Sequence, residues 1–159
     1  MNKGQDKYVD LRIEKLSSDN HSQFIDFFKC SDTEDTRRNF HPFEFSEEAL
    51  EKKFSAINKD LFFGVFAENN KMIGFGMLRG WDEGYTTPSL GIAMHPNFRN
   101  QGLGRDFMEF LHNQAKAKGA TKVRLKVYLG NTGARNFYES LEYSFTDEEN
   151  SQLIGYCEL

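Results

Sequence analysis

Cysteine is scarce in this chain. Of 159 residues only Cys30 and Cys157 are cysteines, and no metal-ligand spacing surrounds either. The reading is therefore no metal and a reduced, cytoplasmic setting, with a disulfide between the two unsupported by the pattern. No apolar run reaches the length needed to span a bilayer, so no membrane association is expected. The N-terminal Met1-Asn-Lys-Gly-Gln-Asp-Lys7 lacks the apolar stretch of a signal peptide. An excess of positive charge is also missing: the net charge is −4, with both signs dispersed. Nucleic-acid binders are usually basic, so no nucleic-acid partner is expected. Two phosphate-loop signatures are absent. There is no G-x-x-x-x-G-K-[ST], which excludes a Walker-type NTPase, and no G-x-G-x-x-G after a strand, which removes the dinucleotide fingerprint.

What the chain does have is phenylalanine, at 16 copies, so an aromatic-rich core is expected. The length suits a single domain, residues 1–159 with its core at about 8–158. Tyr8–Lys15 alternates apolar and polar residues and predicts a half-buried strand. Ser17 or Ser18 can cap a helix carrying Phe24, Ile25, Phe27 and Phe28. Ser31–Phe45 reads as a long loop or broken helix. Ser46 caps a second helix with Glu47 and Glu48 in its first turn and Leu50, Phe54 and Ile57 as its inner stripe. Leu61–Ala67 and Lys71–Arg79, around Asn69-Asn70, predict a hairpin, in which Gly74 and Gly76 mark a close approach of another backbone. Gly80–Thr87 is a connection. Thr121–Tyr128 sets Val123, Leu125 and Val127 on one face and Lys122, Arg124 and Lys126 on the other. A short helix from Asn131 or Thr132 and two closing strands, Tyr143–Thr146 and Gln152–Glu158 around a turn at Asp147–Asn150, complete the chain. This order predicts an α/β (α+β) fold: a mixed, partly antiparallel central sheet of about six to seven strands flanked by about four helices. A parallel crossover through the long helix is expected to be right-handed.

The stretch from Ser89 to Arg105 organises the rest. Ser89–Met94 has strand composition, Pro96 stops it, and from Gly102 a helical period begins, with Leu103, Phe107, Phe110, Leu111 and Ala115 on one face. A strand thus feeds a Gly-bearing turn that feeds a helix. The first N–H groups of a helix lack intrahelical partners and carry the positive end of the macrodipole. A phosphate can be held there by backbone, and Gly102 and Gly104 present no Cβ to block it. Arg99 and Arg105 add cations suited to bidentate phosphate contact. On the local pattern alone the same stretch also reads as a plain strand-to-helix turn that needs Gly for its dihedrals.

A second motif, Asn131-Thr-Gly-Ala-Arg-Asn-Phe-Tyr138, lies on the last helix. A phenol with an ordinary pKa of about 10 can act as a general acid toward a leaving group of similar or greater basicity. It can equally be a ring packed in the core with its hydroxyl at the rim.

Arg99-Asn-Gln-Gly-Leu-Gly104 resembles the R/Q-x-x-G-x-G/A loop of the GNAT superfamily of acyl-CoA-dependent N-acyltransferases, and Asn131-x-x-Ala134-x-x-x-Tyr138 resembles that family's second motif. The element order matches over about residues 8–158. The resemblance implies an acyl-CoA N-acyltransferase type fold and acetyl-CoA as acyl donor. It implies that backbone amides of Asn100, Gln101, Gly102, Leu103, Gly104 and Arg105, with Arg99 beside them, hold the CoA pyrophosphate. Main-chain groups of Ile92 and Met94 would pair with the pantetheine arm, Asn131 would contact it, and Arg135 would lie near the phosphates. Tyr138 would protonate the departing thiolate after direct attack by the amine, and the protein would contribute mainly positioning and carbonyl polarisation. The chain departs from the family pattern where Leu141-Glu142-Tyr143 replaces the x-Gly-Phe that follows the Tyr helix. Glu142 in a left-handed C′ conformation would cost about 1 kcal/mol relative to Gly. At Thr87-Pro88-Ser89 the chain supplies no carboxylate base.

The acceptor amine must lose a proton, and Glu83, on the connection into the central strand, is the first candidate base, against the reading of a solvated loop acid. His95 reads more simply as a loop histidine and His112 as a surface one. Arg37-Arg-Asn-Phe-His41-Pro offers an Arg pair and a His that could hold an anionic acceptor or form a solvated turn. The implied activity is acetyl transfer to a small-molecule amine. A catalytically silent acyl-CoA-binding module, or the same chemistry on an amino-sugar nucleotide or on a protein Lys or N-terminus, are the alternatives. A homodimer is left open.

Overall fold

The computed structural model describes residues 11–30, 46–56 and 58–159, without the side chains of Cys30 and Leu50. Seven strands form one sheet: β1 Arg12–Lys15, β2 Leu61–Phe66, β3 Met72–Arg79, β4 Ser89–Met94, β5 Lys122–Tyr128, β6 Ser144–Glu149 and β7 Gln152–Glu158. Their spatial order is β1-β2-β3-β4-β5-β7-β6. Among the described residues only β4 and β5 pair in parallel, joined by the crossover helix α3 (Leu103–Ala117), and the other pairs are antiparallel. The remaining helices among the described residues are α1 (His21–Cys30), α2 (Glu47–Ala56) and α4 (Thr132–Ser140), with short 3-10 turns at Ser18–Asn20 and Pro96–Phe98. This is the expected mixed sheet with flanking helices.

Local signals explain most boundaries. Ser17 caps the turn into α1 in a reciprocal capping box with Asn20. Ser46 Oγ accepts the Ala49 N–H at 3.2 Å and starts α2. Gly119, at φ 89°, ends α3: its N–H reaches Lys116 and the Ala120 N–H reaches Ala115, the two bonds of a Schellman cap.

Two cores sandwich the sheet. On one face Phe107, Met108, Leu111 and Ala115 of α3 pack on Ile73, Leu78, Leu90, Val123 and Leu125. On the other, Phe24, Phe27 and Phe28 of α1 and Phe54 of α2 pack on Phe62, Phe66, Phe75 and Met77. Phe24 is edge-on to Phe54 and Phe75, with centroids 5.2 and 4.9 Å away, a geometry the ring quadrupoles favour. Among the described residues these two helices cover the β1–β3 side of their face and not the β4–β7 side.

Several expectations change. The predicted strand at Tyr8 is observed from Arg12; residues 8–10, the Ser31–Phe45 segment with Arg37, Arg38 and His41, and Ile57 lie outside the described residues. Gly76 does mark a close approach, but of side chains rather than backbone. A Cβ there would stand 2.6 Å from Phe107 Cζ and 2.9 Å from Leu111 Cδ1, so Gly76 lets α3 settle on β3. Of the turn expected at Asp147–Asn150, residues 147–149 are strand instead: β6 runs to Glu149, and the hairpin turns at Asn150-Ser151, with φ 50° and 62°. Its acidic residues read as a turn because β6 is an exposed edge strand, where charge is tolerated and discourages further pairing. Cys157 is a buried free thiol.

Candidate active site

The site begins where β4 and β5 part. The His95 N–H donates to Ile73 at 2.8 Å, so alternation turns Gly91 and Ala93 toward β3 and directs the main-chain groups of Leu90, Ile92 and Met94 toward β5. On that side only Ser89 pairs with β5, opposite Arg124, whose N–H reaches back to Pro88 at 3.0 Å. Beyond Ser89 the parallel strands diverge. An extended ligand could therefore add to β4 as a strand.

The widening gap is a cleft of about 680 Å³, walled by β4, the loop after it, the start of α3, the end of β5 and α4. Ile92, Met94, Arg99, Asn100, Gly102, Gly104, Arg105, Asn131 and Tyr138, all singled out from the sequence, line it. Gln101, Leu103 and Arg135 do not. Gln101 turns its side-chain amide back to the Asn97 carbonyl at 3.0 Å, and Leu103 packs against the α3 core. Arg135 pairs with Glu139 at 2.9 Å and lies over the Phe145 ring, on the solvent side of α4. Phe98, Lys126 and Met77 are cleft residues that the sequence reading passed over.

At the cleft mouth Asn100 and Gly102 adopt left-handed φ of 59° and 83°, and α3 starts at Leu103. The first helical ladder bond is Asp106 N–H to the Gly102 carbonyl, 3.3 Å. Among the described residues the amides before it meet no acceptor, so they can serve an outside one. A Cβ at Gly102 would meet nothing within 4 Å, so its glycine answers the backbone angle rather than crowding. Arg99 Nε donates to the Met94 carbonyl at 3.2 Å and so lies over the gap. Arg105 donates to Ser140 Oγ at 3.0 Å, tying the start of α3 to the end of α4. A loop of free amides flanked by two guanidinium groups can hold a phosphate-like anion.

Tyr138 sits deeper. Asn131 Oδ1 caps α4 by accepting the Ala134 N–H at 3.2 Å, which leaves its amide nitrogen as the group able to reach a ligand. At its other end α4 closes in a second Schellman cap: Tyr143 N–H reaches the Tyr138 carbonyl and Glu142 N–H reaches Glu139, both at 3.1 Å. Glu142 takes the left-handed position, φ 70°, where glycine is usual. The rings of Tyr138 and Tyr143 stand 5.7 Å apart. Tyr143 Oη and His112 Nε2 share a hydrogen bond at 2.7 Å. His112, expected on the surface, is therefore half-buried and braces the floor beneath Tyr138. Burial pushes the Tyr138 phenol up to about 12 and keeps it protonated. Burial, then the nearby Cys157 and Tyr138, raises Tyr143 too.

His95 is buried, and its Nδ1 accepts the Asn97 N–H at 3.1 Å, capping the 3-10 turn. Burial first, and then Lys71 and Arg99, lower its pKa. It acts as a neutral brace of the loop and does not line the cleft.

Glu83 lines a second cavity of about 590 Å³ that meets the cleft at Met77, Ser89 and Lys126. The connection bearing it is pinned. Asp60 Oδ1 accepts from Gly80 N–H (3.0 Å) and Asp82 N–H (3.1 Å), while the Asp82 carboxylate accepts from Lys59, Asp60 and Asn58. Burial opposes charge on Asp82, but those amides outweigh it and leave its pKa lowered.

The sequence profile of the Acetyltransferase (GNAT) family matches residues 26–143. An acetyltransferase of Pectobacterium atrosepticum is 30% identical over 106 residues, covering 67% of this chain and 72% of that one. The [ribosomal protein bS18]-alanine N-acetyltransferase of Escherichia coli is 29% identical over 105 residues, 65% of this chain and 67% of that protein. Among solved structures, the PaiA N-acetyltransferase of Thermoplasma acidophilum, in complex with coenzyme A, superposes with a TM-score of 0.78. It is 20% identical, over 95% of this chain and all of that one.

Proposed function

This chain is an acyltransferase of the acetyltransferase (GNAT) family, and we propose that it transfers the acetyl group of acetyl-CoA directly to the primary amine of a small-molecule acceptor. The observation that carries this reading is the continuity of the cleft. It runs from the free amides at the start of α3, along the unpaired edge of β4, past Tyr138, to the cavity holding Glu83. Pyrophosphate would sit on the amides of the 100–105 loop beside Arg99 and Arg105. The pantetheine arm would lie along Ile92 and Met94, with the Asn131 amide nitrogen as a further contact. The acetyl group then reaches the gap between β4 and β5.

The chemistry follows from that placement. The neutral amine attacks the thioester carbonyl, whose electrons move to oxygen, and the tetrahedral adduct collapses with loss of the thiolate. The Tyr138 phenol donates a hydrogen bond to that sulfur as charge builds on it, and proton transfer trails the departure of the thiolate. Glu83, directly or through water, takes the proton the amine must shed. Holding both reactants in one gap is worth up to about 7–11 kcal/mol of the barrier. The likeness to the enzyme named for acetylating an alanine of ribosomal protein bS18 favours a second reading, a protein N-terminus as acceptor.

A thermal-shift titration tests the donor. Acetyl-CoA at about 100 times its Kd should add about 2.7 kcal/mol, raising Tm by about 5–10 °C. ADP and ATP should do markedly less. An equal shift with ATP, or none with acetyl-CoA, refutes the reading. Thiol release with an amine and peptide panel then separates the two acceptor classes.

A further inference from the structure

The second cavity lies on the α1/α2 face of the sheet, beyond the part those helices cover among the described residues. Arg79, Ser89, Arg124 and Tyr156 are register partners in one row across β3, β4, β5 and β7, and residues directly opposite in a sheet share a face. Lys122 and Lys126, two positions either side of Arg124, share it as well. Arg79, Lys122, Arg124 and Lys126 therefore converge on one cavity, and Glu83 is the acid that lines it.

Some of this charge is already met. Lys126 pairs with Glu149 at 3.1 Å on the rim, and Lys122 lies over the Tyr156 ring at 5.3 Å, with Glu158 as its register partner. Arg124 differs: its Nε is buried and has no hydrogen-bond partner among the described residues. A buried guanidinium donor without an acceptor is costly, and its fork geometry matches a carboxylate or phosphate. The β4–β5 gap opens at Ser89, the register partner of Arg124. Adjacent strands are about 5 Å apart, so an anion on Arg124 and an amine at the gap can belong to one short molecule. A polyamine would bring only positive charge to these four cations.

Resting on the acetyltransferase reading above, we propose that the acceptor is a small primary amine that also carries an anionic group, carboxylate or phosphate, and that Arg124 reads that group. The test is kcat/KM by thiol release, at saturating acetyl-CoA, for matched amines: alanine against alaninamide, O-phosphoethanolamine against ethanolamine, and spermidine. The anionic member of at least one pair should be preferred by about tenfold or more, and which pair shows it separates carboxylate from phosphate. Arg124→Gln should bring the two members of that pair to within about threefold, and Arg124→Lys should keep part of the preference. Acetyl-CoA affinity, measured by calorimetry on the same proteins, should not change. Equal or better use of spermidine or the uncharged amines overturns the proposal. So does a preference that survives in Arg124→Gln, or acetyl-CoA binding with no turnover of any anionic amine. The wild-type panel decides even if neither variant folds. Failure to bind acetyl-CoA at all overturns the acetyltransferase reading, and this one with it.

Discussion

Replacing Tyr138 by Phe removes one oxygen from the cleft and leaves the ring that packs beside Tyr143. Burial places the phenol at about 12, whereas an ordinary thiol titrates near about 8.5. Moving the proton fully from this phenol to a finished thiolate is uphill by roughly 3.5 pKa units, or about 5 kcal/mol at 1.36 kcal/mol per unit. The phenol should therefore act chiefly as a hydrogen-bond donor while charge builds on sulfur, with proton transfer trailing. A hydrogen bond to a charged group is worth about 1.5–3 kcal/mol, so kcat should fall by about 10–150-fold, at 1.36 kcal/mol per factor of ten. The assay is thiol release at saturating acetyl-CoA and amine, with acetyl-CoA affinity measured separately and expected unchanged. A second signature is the pH profile. The phenol stays protonated well past pH 10, so wild-type kcat should show no alkaline loss that Tyr138→Phe abolishes. A Phe variant within twofold of wild type would refute the donor role. An alkaline limb near pH 9 lost in the variant would refute the raised pKa.

Two further expectations concern stability. Glu142→Gly should raise stability by about 1 kcal/mol, because glycine carries no penalty at φ 70°. Chemical denaturation reads this directly, and an unchanged or lower midpoint would show that α4 closes differently. Burial, and then Lys116, lower the His112 pKa below its ordinary 6.5. Its contribution is thus present above about pH 6.5 and lost as the pH falls, since the unfolded chain takes up the proton first. The Tm advantage of wild type over His112→Gln should shrink from about pH 8 to pH 5; an advantage that grows on acidification would reverse the sign of the argument.

Much of the site was legible because its parts are local in sequence. The Ser17 and Ser46 caps, the turn at Gly102 and the Asn131-to-Tyr138 spacing are each written within a few residues, and short-range hydrogen bonding settles them. The alternation of β5 likewise announced which side chains would be buried and which would not. It gave no hint that the polar side would wall a cavity, since that depends on what stands opposite.

Strand neighbours, by contrast, are chosen by tertiary packing. Arg79 and Arg124 share a row only because β4 lies between β3 and β5. The gap beside Ile92 and Met94 exists because parallel β4 and β5 meet at Ser89 alone. His112 reaches Tyr143 because α3 and α4 pack on the same face. Arg135 leaves the cleft because α4 turns it toward Glu139 and Phe145. Period and capping are short-range and can be read along the chain. The sequence by itself therefore determined the elements, their order and the two motifs. The tertiary structure alone decided the gap, the cation-lined cavity and the brace beneath Tyr138, because non-local register depends on how whole faces bury their apolar area.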